Sequence, residues 1–529
     1  MRRVLFIFII LMMSISISAK SNNSAKSKEI YGGTLIWGTC HKPTIINPLI
    51  TTHSISMPLL DLIFNRLIRL NSKGEVSPDL AHSWNISAEG LIYTFYLRKG
   101  IKFHDGKECT AFDVKFTFEE ILDAKNNSPF KSSFDLVKEF KVIDAYTFQI
   151  ILKTPSASFI YRLVSREIVP RHFFENKNLS ITNFNFHPIG TGPFKFKEWT
   201  NEDRIILEYN PDYYEGRPYL DRVIVEIYED ARGLWSSLMR GEMDFALFLE
   251  REDYEILKDD SSFRTYFFPS DCYYALVYNL NDLVLGDKKI REAIAYGIDK
   301  KNLINRAAFG YGLECSAPFS SQSLGFYPDR ETFNYNLVKA RALLKEAGWE
   351  DKNNNGILEK EGNELELRVL VDTRNYIYKR IIMVIRQQLQ EIGIKIKVVA
   401  YDDESNLSEI FLKRHKPNVE FKMLLGGIDP DQSRKDWSYL EPCGVDKLWI
   451  YRNKKIDELF QLGGMIQGAE ERKKVYQEIC GLICQDVPVC FLYYPFSFHA
   501  VSGKFTNVDV FFNLNMPFYT IKDWRLKNK

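Results

Sequence analysis

Residues 187–199 read "HPIGTGPFKFKEW". A histidine followed by two glycines that flank a threonine suits a catalytic loop, a phosphate cradle or a plain turn. Catalysis needs a nucleophile or general base with an oriented partner in hydrogen-bond reach, and the residues around His187 form no such set. A Walker-type cradle closes with Gly-Lys-Ser/Thr and starts a helix, whereas "PFKFKEW" leads into a strand. The turn reading is preferred. Gly190 and Gly192 are expected to supply permissive backbone angles, and Pro193 to set the start of the strand.

Strands surround this turn. "RIILEYN" and "RVIVEIYE" follow it, and "IYGGTLIWGTC" at 30–40 predicts another strand after a Gly-Gly turn. "SMPLLDLIFNRLIRL" is helical in period, and "GLIYTFYLRKGIKFHDGKECTAFDVKFTFEEILDA" predicts strand, turn and helix. In "LIYTFYLR" both alternating sets are largely apolar, which predicts a strand covered on both faces. "AYTFQIILK" has the same character. The second half has another rhythm: Ile377, Ile381, Val384, Ile385, Leu389 and Ile392 fall at helical spacing, Gly393 is placed to cap, and "IKIKVVAYD" alternates as a strand. Further helices are predicted in "DKKIREAIAYGI", "NLVKARALLKEAG" and "EERKKVYQEICGLI", with strands "ELELRVLVD" and "VCFLYYPF". An α/β lobe is therefore expected over 271–495, between strand-rich material and a short tail.

The 529 residues, 45% of them hydrophobic, suffice for several cores in a globular protein, roughly three or four domain-sized units. With 70 Lys+Arg against 69 Asp+Glu, no net charge draws the molecule to nucleic acid or anionic lipid. Arg2 and Arg3 precede an apolar run at 4–13, and Ser16, Ser18 and Ala19 follow: a secretory signal peptide over 1–19, cleaved after Ser18 or Ala19. The run is half the roughly 20 apolar residues that a membrane anchor requires. No cysteine lies near the cleavage site, the first being Cys40, so a soluble, unanchored periplasmic protein without stable membrane insertion is expected. Eight cysteines in this length are no disulfide scaffold. Cys480 and Cys484, one helical turn apart, lack regular zinc-ligand spacing and are expected in the core.

Several runs carry a resemblance. "GGTLIWGT" at 32–39, "SPDLAHSW" at 77–84, "LRKGIKFHDGKECTAFDVKFTF" at 97–118, "HPIGTGPFKFKEW", "NPDYYEGRPYLDRV" at 210–223 and "REAIAYGIDKKNLI" at 291–304 occur in the order found in the family 5 extracellular solute-binding proteins. The chain resembles that family, the peptide, dipeptide and nickel receptors of ATP-driven importers, from about residue 30 to its end. The resemblance implies an α/β, two-lobed periplasmic-binding-protein type II fold with an extra domain inserted in the first lobe. Lobe I would comprise 30–74, 188–270 and 496–529, the insert 75–187 and lobe II 271–495. The chain would cross between lobes at "PSDCYYAL" and "LYYPFS", which would form the hinge, and closure would bury the ligand in the cleft.

The resemblance also implies ligand segments: Thr39, Cys40 and His41; Cys272, Tyr273 and Tyr274; Pro318 and Phe319; and Gly426, Gly427, Asp429, Asp431 and Trp437. Peptide receptors typically carry an aspartate for the ligand's α-ammonium shortly before the Asp-Pro-Asp, and Gly426 stands there in this chain. The departure removes a charge-assisted hydrogen bond of roughly 1.5–3 kcal/mol. Asp429 and Asp431 either compensate or shape a turn, and Trp437, Tyr273 and Tyr274 suit ligand stacking or core packing. A peptide would bind in strand-like fashion, an oligosaccharide by aromatic stacking, and nickel through His41 with a second imidazole. No pair of the eight histidines has ligand spacing, so nickel ranks last.

Asp351, Asn353, Asn355 and Gly356 occupy positions 1, 3, 5 and 6 of a calcium-loop pattern, with Glu359 at position 9. Position 12 is Gly362 instead of a bidentate glutamate, and a plain turn is preferred. No G-x-S-x-G or H-E-x-x-H supports a hydrolase, and "FHDGK" reads as a turn. A peptide-holding, chaperone-like role is the other competing class. The expectation is a receptor, not an enzyme, needing no cofactor: a monomer that takes a small-molecule or peptide ligand, a peptide first, with importer permease subunits as partners and no nucleic acid.

Overall fold

One long strand organises the computed structural model, which describes residues 31–52, 56–174, 179, 182–200, 203–270, 272–317, 333–401, 422–428, 451, 453–466, 468–509 and 517–527. That strand, Val489–Ser502, is rich in aromatic and β-branched residues, which fit a pleated, buried surface. Its first half pairs with Tyr273–Tyr278 and Gly312–Glu314, its second with Phe245–Leu249 and Phe263–Pro269. One twelve-stranded sheet results among the described residues. The changeover falls at Pro495, which has no N–H to give a ladder; its carbonyl accepts the Ser270 N–H at 2.8 Å.

On one side of the changeover, Thr34–Thr39 runs parallel to both Arg222–Ile227 and Phe245–Leu249, and Arg204–Tyr209 and Phe194–Thr200 extend the sheet antiparallel. On the other side, Tyr273–Tyr278 pairs with Met423–Ile428, which leads to Glu366–Asp372 and Lys395–Tyr401, all three parallel. Here the helices Lys288–Gly297, Lys300–Ala307, Leu337–Glu346 and Tyr376–Gln390 cover one face, and Lys454–Met465 and Ala469–Asp486 the other. Separate apolar clusters fill the two sides. The molecule is thus α/β and two-lobed.

The helix Tyr376–Gln390 shows how local chemistry sets these elements. Asn375 accepts the Ile377 N–H at 2.9 Å and caps the start. Ile381, Ile382, Val384, Ile385 and Leu389 form its buried stripe. Gly393, at φ +82°, turns the chain into the next strand.

A four-stranded antiparallel sheet, in the order Ala81–Ile86, Ile92–Leu97, Thr147–Leu152, Val137–Asp144, carries the helix Ala111–Leu122 on one face. Phe118 of that helix packs on Phe134, Phe140 and Phe148, with ring centroids 5.1 to 6.2 Å apart. This corrects the expectation of a strand covered on both faces: in Ile92–Leu97 only Tyr93, Phe95 and Leu97 are buried, while Ile92 and Tyr96 are exposed. Aromatic and β-branched residues tolerate the outer face, so an apolar run misstates its burial. The expected helix in "SMPLLDLIFNRLIRL" also stops early. It spans Ser56–Ile63, and Ile68–Leu70 is a short strand paired with Val76–Pro78.

Candidate functional site

Ligands of open α/β sheets bind beyond the carboxyl ends of parallel strands. Thr34–Thr39 ends at Thr39, and its parallel neighbour Phe245–Leu249 approaches the changeover, because Leu249 lies opposite Phe498. In the second lobe Met423–Ile428 ends toward the same place, where the antiparallel Tyr273–Tyr278 begins with Tyr274 opposite Tyr493. Both edges therefore point at Pro495. Thr39, Cys40 and His41 lie on one edge, and Cys272, Tyr273, Tyr274, Gly426 and Gly427 on the other.

On the first edge, buried Thr39 accepts the His41 N–H on Oγ1 at 3.1 Å, and its carbonyl accepts the Tyr228 N–H at 2.8 Å. His41 is left exposed. Burial, and then the Asp230 carboxylate, push the half-buried Cys40 thiol above its ordinary value, so it is no thiolate.

On the second edge the two tyrosines part. Tyr273 is fully buried against Phe491 and Tyr494, at 5.4 and 5.9 Å, so it packs the lobe. Tyr274 stands edge-on to Tyr493 and Tyr378, at 5.1 and 5.5 Å. Gly427 donates its N–H to Tyr378 Oη at 2.8 Å, and a Cβ there would stand 3.1 Å from that oxygen. At Gly426 the nearest atom to an added Cβ is Leu424 Cδ2, at 3.9 Å. Cys272 donates its N–H to Ser270 Oγ at 3.1 Å. Pro318, Phe319, Asp429, Asp431 and Trp437 lie outside the described residues, as do residues 1–30.

Sequence reasoning missed Phe248. It sits in a bulge between Ala246 and Leu249 at the first edge, with φ +56° and 60% exposure. Its N–H reaches Nδ1 of buried His499, at 3.4 Å. Bulges re-aim side chains beside binding sites. The only signal was "FALFL", five apolar residues with no alternation.

The Gly190–Gly192 turn belongs to the scaffold, by a different cause than expected. Neither glycine has a positive φ. A Cβ on Gly190 would collide with the Ile63 carbonyl, and one on Gly192 would stand 2.5 Å from the same carbon. Close approach is what requires glycine. His104, from "FHDGK", clamps the turn: Nδ1 accepts the Gly190 N–H at 3.2 Å, Nε2 donates to the Gly192 carbonyl at 3.1 Å, and the His104 N–H reaches the Gly190 carbonyl at 2.8 Å. Thr191 donates to Asn65, and Asn65 and Tyr214 donate to buried Asp79 at 2.9 and 2.8 Å. Four of the quoted motifs thus meet in one structural network. His187 is exposed beside Phe196.

In the 351–362 loop, Asp351 accepts the Asn355 and Gly356 N–H groups and Asn355 accepts that of Ile357, so the side-chain oxygens serve the loop's own backbone. Among the described residues no three His, Cys, Asp or Glu side chains are grouped as a metal-ligand set. Cys109, Cys315, Cys480 and Cys490 are buried, whereas Cys484, expected in the core with Cys480, is half-buried with its thiol donating to the Ser316 carbonyl at 3.4 Å. No helix among the described residues is long and apolar enough to cross a membrane.

Two lobes that share a continuous strand and turn their strand ends toward one another define a hinge-closing ligand receptor. The chain matches the model of the bacterial extracellular solute-binding proteins, family 5, over residues 75–446, and it belongs to that family of binding proteins. It is similar to the oligopeptide-binding protein AppA of Bacillus subtilis, at 31% identity over 99% of this chain and 98% of that one. The structure of that protein in complex with a nonapeptide superposes with a TM-score of 0.76, covering 94% of this chain and 99% of that one. The substrate-binding protein CtaP of Listeria monocytogenes gives 0.83 at 27% identity, with the same coverage. NikZ of Campylobacter jejuni, in complex with Ni(L-His), gives 0.77 at 27% identity over 93% and 99% of the two chains.

Proposed function

We propose that this protein is the receptor of an ATP-driven importer: it captures a peptide between its lobes by hinge closure and presents it to the permease subunits. The observation that carries this reading is the convergence of the Thr39–His41 and Tyr274–Gly427 edges on the Pro495 changeover. The similarity to AppA supports a peptide as the ligand. Lobe I is assigned to 30–74, 188–270 and 496–529, the insert to 75–187 and lobe II to 271–495. Residues 1–19 direct export, and the protein works in the periplasm as a monomer, with no catalytic step.

Native mass spectrometry of the protein as purified, followed by denaturation, tests the ligand class. The expected outcome is one equivalent of short peptides of mixed sequence, including ones with blocked amino termini, because Gly426 offers no carboxylate to select a free ammonium. A released metal chelate or oligosaccharide would instead favour the second reading, a receptor for another solute, which the likeness to NikZ keeps specific.

A further inference from the structure

The lobes also touch beside these ligand edges. From the first lobe, the helix Arg251–Leu257 follows Phe245–Leu249; from the second come the 309–311 turn and the start of Tyr376–Gln390. Tyr376 Oη donates to Glu250, and Tyr311 Oη to Glu255. Arg380 stands 3.9 Å from Glu252, and its guanidinium lies 4.7 Å from the Phe309 ring centroid and 5.2 Å from that of Tyr376. Arg251 of the first lobe approaches the same Phe309 ring at 3.9 Å. Phe309 has φ +54°, a conformation that its surroundings must hold in place. On another part of the surface, Ala157 of the four-stranded unit donates its N–H to the Gly464 carbonyl at 2.7 Å.

These contacts fall into an inner and an outer set. Tyr311 precedes the Gly312–Glu314 strand that pairs at the changeover, and it packs on Tyr254, Phe267 and Phe498 at 5.1 to 6.0 Å. A rotation about the changeover leaves this inner set together. Tyr376 begins its helix beyond the carboxyl end of Glu366–Asp372, two strands away from Tyr273–Tyr278, so its reach to Glu250 exists only with the lobes together.

We propose that the Glu250–Tyr376 hydrogen bond, with Arg380 beside it, is a latch that stabilises the closed arrangement whether or not ligand is bound. The inference rests on the hinge-closing reading above. A contact present in one state alone shifts the balance between states by its own free energy, and a receptor's apparent affinity scales with its closed fraction.

Small-angle X-ray scattering of the full chain, stripped of ligand by denaturation and refolding, tests this. Tyr376→Phe and Glu250→Ala are each expected to cut the closed-to-open ratio about fivefold, the factor one net hydrogen bond gives, seen as a larger radius of gyration. The double variant should open no further than either single one, because the same bond is lost. Scattering curves of both variants that overlay the wild-type curve, or additive opening in the double variant, would overturn the proposal. No ligand is present, so an error about the peptide leaves this result intact.

Discussion

Gly190→Ala is expected to destabilise the protein by about 3 kcal/mol, measured as a fall in the urea midpoint at unchanged slope. The new methyl has nowhere to go. Its neighbours are the Ile63 carbonyl oxygen, the Ile63 carbon at 2.7 Å and Phe64 Cδ1 at 2.8 Å, and the first two are backbone. Moving them breaks the Gly192 N–H bond to the Ile63 carbonyl, 2.8 Å, and with it the His104 clamp. Gly464→Ala makes the contrast, because no atom lies within 4 Å of its added methyl and it sits inside the helix Lys454–Met465. That change should be neutral or stabilise by up to about 1 kcal/mol.

The second large effect is acid sensitivity centred on His499. The residue is fully buried in the crossing strand, with Nδ1 accepting the Phe248 N–H and Nε2 facing Ser497 Oγ at 3.0 Å. Burial lowers its value from 6.5 to about 3. The folded state therefore keeps the ring neutral while the unfolded chain takes up a proton below about 6.5. Between these values the unfolded state binds more protons, so stability falls as pH falls. From pH 7 to pH 5 the loss from this ring is about 2 kcal/mol, at 1.36 kcal/mol per unit. Comparing the pH dependence of wild type and His499→Gln isolates it from titrating carboxylates such as Asp61, which burial raises to about 6 and which acts in the opposite sense. The variant should lose about 2 kcal/mol less over that interval; parallel curves would remove His499 as the cause.

The fold was legible because its sequence signals are local. Helical spacing from Ile377 to Ile392, alternation in "IKIKVVAYD" and the turn at 187–193 are each properties of one segment, and each folds as read. The causes were less legible. Gly190 and Gly192 look like flexible turn residues, and only the Ile63 backbone, over a hundred residues earlier, shows that their missing Cβ is what matters. The ligand edges were partly legible. Thr39 and Tyr274 mark strand ends that sequence patterns can place, but Tyr273 next door faces the core, since neighbouring strand residues point to opposite faces. Phe248 was invisible, because its exposure comes from a bulge against Val489–Ser502, a pairing between segments about 250 residues apart. Four of the six motifs that signal the family proved to be scaffold: Asp79, His104, Thr191 and Tyr214 belong to one network joined through Asn65 and the Gly190–Gly192 turn. That is why they identify the fold more securely than the ligand.

The most direct measurement of peptide capture between two lobes is amide hydrogen exchange, with and without a saturating pool of mixed-sequence nonapeptides. The account predicts that slower exchange appears together at residues 39–42 of the first lobe and at 272–274 and 426–427 of the second. Protection confined to one lobe, or none at all, would contradict it.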